Sequence, residues 1–250
     1  MKKYKSVFIS DTHLGSKHCR SEELLSFLKD LKCENLFLVG DIVDGWRLQK
    51  KWYWPSTHSK IIQQFLKMSS RGINVYYIPG NHDEFLRIFI KKSSQVHLGN
   101  ITVTNRLVYK GINQHDYLVI HGDLFDHLMK SRIGRRVMAL GDWAYDFFSY
   151  ISWIINWGRK LLGLEYWSLV KYLKNHAKSA SNFIGNYEQE LSNYCRSKNY
   201  HGIICGHIHS PAIRTINGVE YMNDGDWVEH GSALVENLDG TWEIITKGSR

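Results

Sequence analysis

Val7-Phe8-Ile9-Ser10-Asp11-Thr12-His13 decides the reading of this chain: an apolar run stops abruptly in an acid and an imidazole. A short apolar run with turn residues behind it reads as a buried strand. Working outward, the same arrangement recurs four times. Leu36–Val39 leads into Gly40-Asp41-Ile42-Val43-Asp44, and Val75–Pro79 into Gly80-Asn81-His82-Asp83. Leu118–Ile120 leads into His121-Gly122-Asp123, and Ile203–Cys205 into Gly206-His207-Ile208-His209. Helical patterns lie between the first runs. Ser21–Lys32 places Leu24, Leu25, Phe27, Leu28 and Leu31 at helical spacing, with Ser21 the expected N-cap. Pro55–Arg71 reads as a second helix, stopped by Gly72. Ile101–Tyr109 alternates and is expected to be one half-buried strand. Strands alternating with helices predict an α/β sheet with buried strands and outer helices.

The rhythm breaks at His127. Residues 127–185 carry no strand signal, nine Lys or Arg against three acids, and four of the nine Trp. They read as a helical insertion into a core of residues 1–126 and 186–250, with Asn186–Lys198 the helix that returns to it. At 250 residues, 43% apolar and 22% charged, the chain has globular rather than disordered composition. Its net charge of +8 suggests an anionic partner. Cys19, Cys33, Cys195 and Cys205 form no CxxC pair and are expected as reduced thiols in a cytosolic protein. The N-terminus has no signal-peptide pattern, and the longest charge-free apolar stretch, Phe147–Trp157, is too short to span a bilayer.

Taken singly, each polar cluster has a plain structural reading: Asp11 as a turn residue, His13 as a surface histidine, Gly-Asp as a turn. Five in order, each behind an apolar run, point instead to one crevice, because ligands of open α/β sheets gather at the carboxyl ends of the strands. Asp11, His13, Asp41, Asn81, His121, His207 and His209 supply oxygen and imidazole donors and no thiolate. That set suits Mn²⁺, Mg²⁺, Fe or Zn²⁺. Seven donors are too many for one ion, whereas two ions sharing a bridging carboxylate account for them. Such a pair clamps the attacking and leaving oxygens of a phosphoryl centre.

The ordered set D-x-H, G-D-x-x-D, G-N-H-D, H-G-D and G-H-x-H, over residues 11–209, resembles the calcineurin-like metallophosphoesterases. The resemblance implies a four-layer αββα sandwich of two mixed β-sheets, here with the helical insertion. It implies that Asp11, His13 and His209 hold one ion, that Asn81, His121 and His207 hold the other, and that Asp41 bridges them. By the same resemblance His82 touches substrate phosphate and protonates the leaving group, and Asp83 orients His82. Mn²⁺ is the expected ion.

A narrower likeness lies in SDTHLG, GDIVDGW, GNHDEF, GHIHSP and NDGDWVE. These are similar to motifs of the bacterial UDP-2,3-diacylglucosamine diphosphatases, which release UMP and a lipid sugar phosphate during lipid A synthesis. That likeness implies a nucleotide-linked glycolipid substrate, an insertion that accepts acyl chains, and a cytoplasmic protein peripherally associated with the anionic inner-membrane surface. His82 departs from the best-known branch, which has Arg there. A phosphate leaving group gains from a fixed cation, whereas an alkoxide gains from a proton donor. A phosphomonoesterase or phosphodiesterase acting on another lipid or nucleotide is therefore the alternative.

Two basic, aromatic segments are the expected substrate contacts. Trp46 and Arg47 follow the Asp41 motif directly, and Arg132, Arg135 and Arg136 lie in the insertion. Nucleic acid is not expected, because the basic residues cluster with Trp and apolar runs rather than along a plain backbone-tracking groove.

Overall fold

The computed structural model describes residues 2–90, 94–125, 150–159, 161–164, 167 and 178–247. The first strands show how the sequence sets the layers. In β1 (Lys3–Ile9) and β2 (Lys32–Leu38), Val7, Ile9, Leu36 and Leu38 enter one core while Phe8 and Phe37 enter another. Side chains alternate across a strand, so a run that is apolar at every position must be covered on both faces.

The first of those cores lies under α1 (Ser21–Asp30) and α3 (Ser56–Ser70), which contribute Leu24, Leu28, Ile61 and Phe65. The chain continues through β3 (Asn74–Tyr77), a 3-10 turn at Glu84–Leu86 running into α4 (Arg87–Ile90), β4 (Gln95–Leu98) and β5 (Ile101–Thr104). A second sheet takes β6 (Leu107–Lys110) and β7 (Asp116–Val119). Helices α5 (150–159) and α6 (Lys178–Ser197) follow. The chain ends with β8 (Gly202–Cys205), β9 (Ala212–Ile216), β10 (Val219–Asn223), β11 (Ser232–Asn237) and β12 (Trp242–Thr246).

The seven-stranded sheet has the order β12-β11-β1-β2-β3-β5-β4, and the five-stranded sheet β6-β7-β8-β10-β9. Both are mixed. β1, β2, β3 and β5 pair in parallel, as do β7, β8 and β10, with antiparallel strands outside them. Between the sheets Phe8 stacks on Phe37 at 4.4 Å and Phe37 on Tyr76 at 4.8 Å, beside Tyr117, Val119 and Ile204. On the outer face of the second sheet, Leu118, Ile120, Ile203 and Cys205 pack against Tyr187, Leu191 and Cys195 of α6. Three cores separate four layers, so the fold is the αββα sandwich.

Three sequence expectations change, and one element is added. Ser21 is the first helical residue, not the cap; Arg20 takes the cap position, with no side-chain cap bond. Ile101–Tyr109 is two strands in different sheets, because the chain turns a corner at Asn105. Thr104 Oγ1 clamps that corner, 2.9 Å from the carbonyl oxygens of both Ser94 and Arg106. The helix returning to the core begins at Lys178 rather than Asn186. A short helix, α2 (Gly45–Lys50), was not read from the sequence, and six residues are too few to carry a period. The four cysteines are free. Among the described residues, no helix is long and apolar enough to cross a membrane.

Candidate metal centre

Each polar cluster leaves the carboxyl end of its strand: Asp11 and His13 after β1, Asp41 and Asp44 after β2, Asn81 and His82 after β3, His121 after β7, and His207 and His209 after β8. The larger sheet therefore supplies the carboxylates, Asn81 and two imidazoles, and the smaller sheet supplies three imidazoles. Their backbones are cross-tied: Asp11 N donates to Gly40 O at 3.0 Å, His13 N to Asp41 O at 2.9 Å, and Gly206 N to His121 O at 3.2 Å.

The turns that aim these side chains are strained. Asp11, His13, Asp41, His207 and His209 all have left-handed backbone, with φ of 49, 47, 52, 72 and 50°. Non-glycine residues in this region cost of order 1–3 kcal/mol each and persist only where the surroundings over-determine them. Glycine is required between them: a side chain at Gly80 would run into the Asp41 carboxylate, and one at Gly40, at φ 86°, into the His121 ring.

Three overlapping groups bring ligand atoms within 4.8 Å of one another: Asp11, His13 and His209; His13, Asp41 and His82; and Asp41, His121 and His207. Asp41 Oδ2 is central, 3.3 Å from His121 Nε2, 3.9 Å from His82 Nε2 and 4.0 Å from His13 Nε2. Asp11 Oδ1 lies 3.1 Å from His209 Nε2 and 3.8 Å from His13 Nε2. Asn81 Oδ1 is buried with no hydrogen-bond partner among the described residues, and a cation would satisfy it. His121 Nδ1 bonds to Val39 O at 2.8 Å, which leaves Nε2 facing the crevice. The donors are nitrogen and oxygen only, and they fit a pair of divalent ions. The chain thus carries a candidate dinuclear metal site.

The electrostatics agree. Burial alone would raise Asp41, but His121, His13 and His82 outweigh it and hold the carboxyl well below the usual range. Asp11 is likewise held down against burial, chiefly by His209. Burial would lower His13, yet its contacts with Asp11 and Asp44 and the charge of Asp41 lift it to about 10. Buried carboxylates here demand positive charge, which protons on imidazoles or bound cations can supply.

The expectation that Asp83 orients His82 is not met. Asp83 is buried and spent on the backbone, accepting from Ile42 N at 2.9 Å, from Tyr77 OH at 2.6 Å and from Gly80 N. The carboxylate beside His82 is Asp44, whose Oδ1 is 2.9 Å from His82 Nδ1 and whose Oδ2 is 3.3 Å from His13 Nδ1. Asp44 also caps α2, accepting from Arg47 N at 3.0 Å. It stands second in G-D-x-x-D, where the sequence marked it but gave it no role.

Trp46 lies over His82 with ring centroids 4.4 Å apart, and Arg47 Nε is 3.2 Å from Asp44 Oδ2, so both flank the crevice. Arg132, Arg135 and Arg136 lie outside the described residues. The sequence also missed two supports. Arg87 makes paired bonds of 2.8 and 2.9 Å to Asp123, and Asp224 contacts Ser10 behind Asp11.

Residues 4–211 match the family model of the calcineurin-like phosphoesterases. The chain belongs to this family, and it is a hydrolase of the metallophosphoesterase type. No curated protein matches its sequence. Similar solved structures include a novel archaeal phosphodiesterase, at 12% identity and a TM-score of 0.45, covering 96% of this chain and 98% of that one. A predicted phosphoesterase of Streptococcus pneumoniae shares 14% identity at a TM-score of 0.37, with coverage of 98% and 99%. Vps29 of Entamoeba histolytica, as a single mutant, shares 14% at 0.42, also with coverage of 98% and 99%.

Proposed function

We propose that the protein hydrolyses a phosphomonoester or phosphodiester at a two-ion centre, with His82 protonating the leaving oxygen. In this reading Asp11, His13 and His209 hold one ion, Asn81, His121 and His207 hold the second, and Asp41 lies between them. Bound there, divalent ions such as Mn²⁺ would supply Lewis-acid polarisation of phosphoryl oxygens and a nucleophile at neutral pH.

The observation that carries the reading is the His82–Asp44 contact of 2.9 Å at Nδ1. Asp44 Oδ1 takes that nitrogen, which leaves Nε2, on the side of Asp41, as the ring atom from which the leaving oxygen is protonated. A fixed proton donor suits an alkoxide leaving group more than a phosphate. Trp46 and Arg47 border the place where that leaving group would lie.

A second reading, cleavage of the pyrophosphate of UDP-2,3-diacylglucosamine at an anionic membrane surface, is favoured by one observation. A cavity of about 680 Å³ separates α5 from the loops after β1 and α2, with Tyr53, Trp153, Trp157 and Leu164 among its walls. Its three aromatic rings suit a lipid or a base, and Lys17, Arg20, Glu22, Glu23 and Glu229 line the same cavity.

The test is a substrate panel with Mn²⁺-loaded protein. Turnover of phosphoesters without UMP release from the glycolipid supports the first reading, and the reverse supports the second. Asp41→Ala should abolish metal uptake and turnover together. Unchanged turnover in that variant would overturn both readings.

A further inference from the structure

Behind Asp11, on the side away from the crevice, three oxygens surround one hydroxyl. Ser10 Oγ is hydrogen-bonded to Asp11 Oδ2, lies 2.6 Å from Asp224 Oδ1 and lies 3.1 Å from Gly225 O. A serine hydroxyl carries one proton. If Asp11 is an ionised ligand, that proton goes to Asp11 Oδ2. The contact with Asp224 then needs a second proton, and only the Asp224 carboxyl is placed to bring it.

Burial leads to the same assignment. Asp224 is fully buried, and its Oδ2 has no hydrogen-bond partner among the described residues. An ionised carboxylate with a single hydroxyl for company would be costly, whereas a neutral acid with one strong bond and a bare carbonyl oxygen is much less so. Burial, with the Asp11 charge adding to it, holds the Asp224 carboxyl well above the usual range.

We propose that Asp224 is a positioning residue for Asp11, a neutral acid that donates to Ser10 Oγ so that Ser10 donates to Asp11 Oδ2. Asp11 Oδ2 also accepts from His207 N at 2.8 Å. With both bonds made, Oδ2 is saturated and Oδ1 is the oxygen left for the cation and its neighbours His13 and His209. The inference rests on Asp11 holding an ion, as proposed above. The Asp224 residue sits in N-D-G-D-W, next to Gly225 and two residues before Asp226. Asn223 Nδ2 ties this loop to Gly206 O at 2.8 Å and Trp227 N ties it to Asp11 O at 3.1 Å, so the loop is fixed to both halves of the first ion's ligand set.

Asp224→Asn and Asp224→Leu separate the possibilities. The Asn amide can donate to Ser10 as the neutral acid does, and Leu cannot. Asp224→Asn should keep Mn²⁺ affinity and kcat within about threefold of the parent. Asp224→Leu should lose roughly 10–100-fold in affinity for the tighter ion, the usual cost of removing support behind a ligand. Equal losses in both variants would mean that a negative charge is required at 224, and equal retention in both would mean that nothing is positioned; either result overturns the inference. Infrared spectroscopy of metal-free protein at pH 7 gives a second arm. The parent should show the carbonyl band of a neutral carboxylic acid that disappears in Asp224→Asn, and no difference between the two spectra overturns the assignment. This arm needs no metal, so it distinguishes failure here from failure of the two-ion reading.

Discussion

Replacing Asp44 by Asn isolates the proposed proton donor. Asp44 Oδ1 takes both Arg47 N, at 3.0 Å, and His82 Nδ1, at 2.9 Å, so an Asn carbonyl can keep the cap and the contact while the charge is lost. Hydrogen bonds to charged groups contribute about 1.5–3 kcal/mol and are roughly twice as strong as neutral ones. Losing that advantage leaves the proton-carrying imidazole less stabilised by about 1.5–3 kcal/mol, so the donor is less available and kcat/KM should fall roughly 10–100-fold. The loss should depend on the leaving group. An alkyl phosphoester, whose alkoxide must be protonated, should show the full loss. A p-nitrophenyl ester, whose phenolate leaves without help, should lose less than about threefold. Steady-state assays of both substrates, with metal content measured in parallel, decide the matter. Equal losses on both substrates at full metal content would refute the proton-donor role of the pair. Equal losses with depleted metal would place Asp44's contribution at His13 instead.

Other outcomes follow from the same geometry. In metal-free protein, His13 at about 10 lies above its ordinary value of 6.5, so its stabilisation is complete below 6.5 and lost as pH rises through 10. The thermal midpoint of metal-free protein should therefore fall between those limits while metal-loaded protein does not, and a flat alkaline limb without metal would contradict the assignment. Metal uptake near pH 8 should release protons, read by calorimetry in buffers of different ionisation enthalpy; zero release would count against His13 as a ligand. Gly80→Ala should cost about 1–3 kcal/mol of stability by overpacking, together with most of the turnover, because its Cβ meets the Asp41 carboxylate; unaltered kinetics would show that the carboxylate can yield. Arg87→Ala breaks the paired bond to Asp123 and the 2.7 Å bond to Pro79 O. It should lower the thermal midpoint and weaken metal binding, and an unchanged metal titration would restrict Arg87 to a structural role.

The sequence was most legible where one signal repeated. Five apolar runs with polar ends gave five of the seven parallel strands and all seven proposed ligands, because buried strands and metal donors are both read from residue type. It was least legible where a role depends on which neighbour a side chain meets. Asp83 and Asp44 are both acids near His82, but only folding decides that Asp83 is taken by the amides of Ile42 and Gly80 and that Asp44 meets the imidazole. The corner at Asn105 was hidden for a related reason. Ile101–Thr104 and Leu107–Lys110 alternate alike, and their separation into two sheets is a long-range choice. Ser10 and Asp224 are 214 positions apart, so no spacing rule could join them.

The division of candidate donors between the sheets would make bound ions a gauge of how those sheets stack. His121, His207 and His209 ride on one layer, and Asp11, His13, Asp41 and Asn81 ride on the other. Phe8 and Phe37 of the larger sheet meet Tyr109 of the smaller one edge-on at 5.5 and 5.3 Å, so these rings help fill the gap across which bound cations would reach. Trimming those rings, far from any phosphate, should thus register first as a defect of metal affinity and rate, before it registers as unfolding.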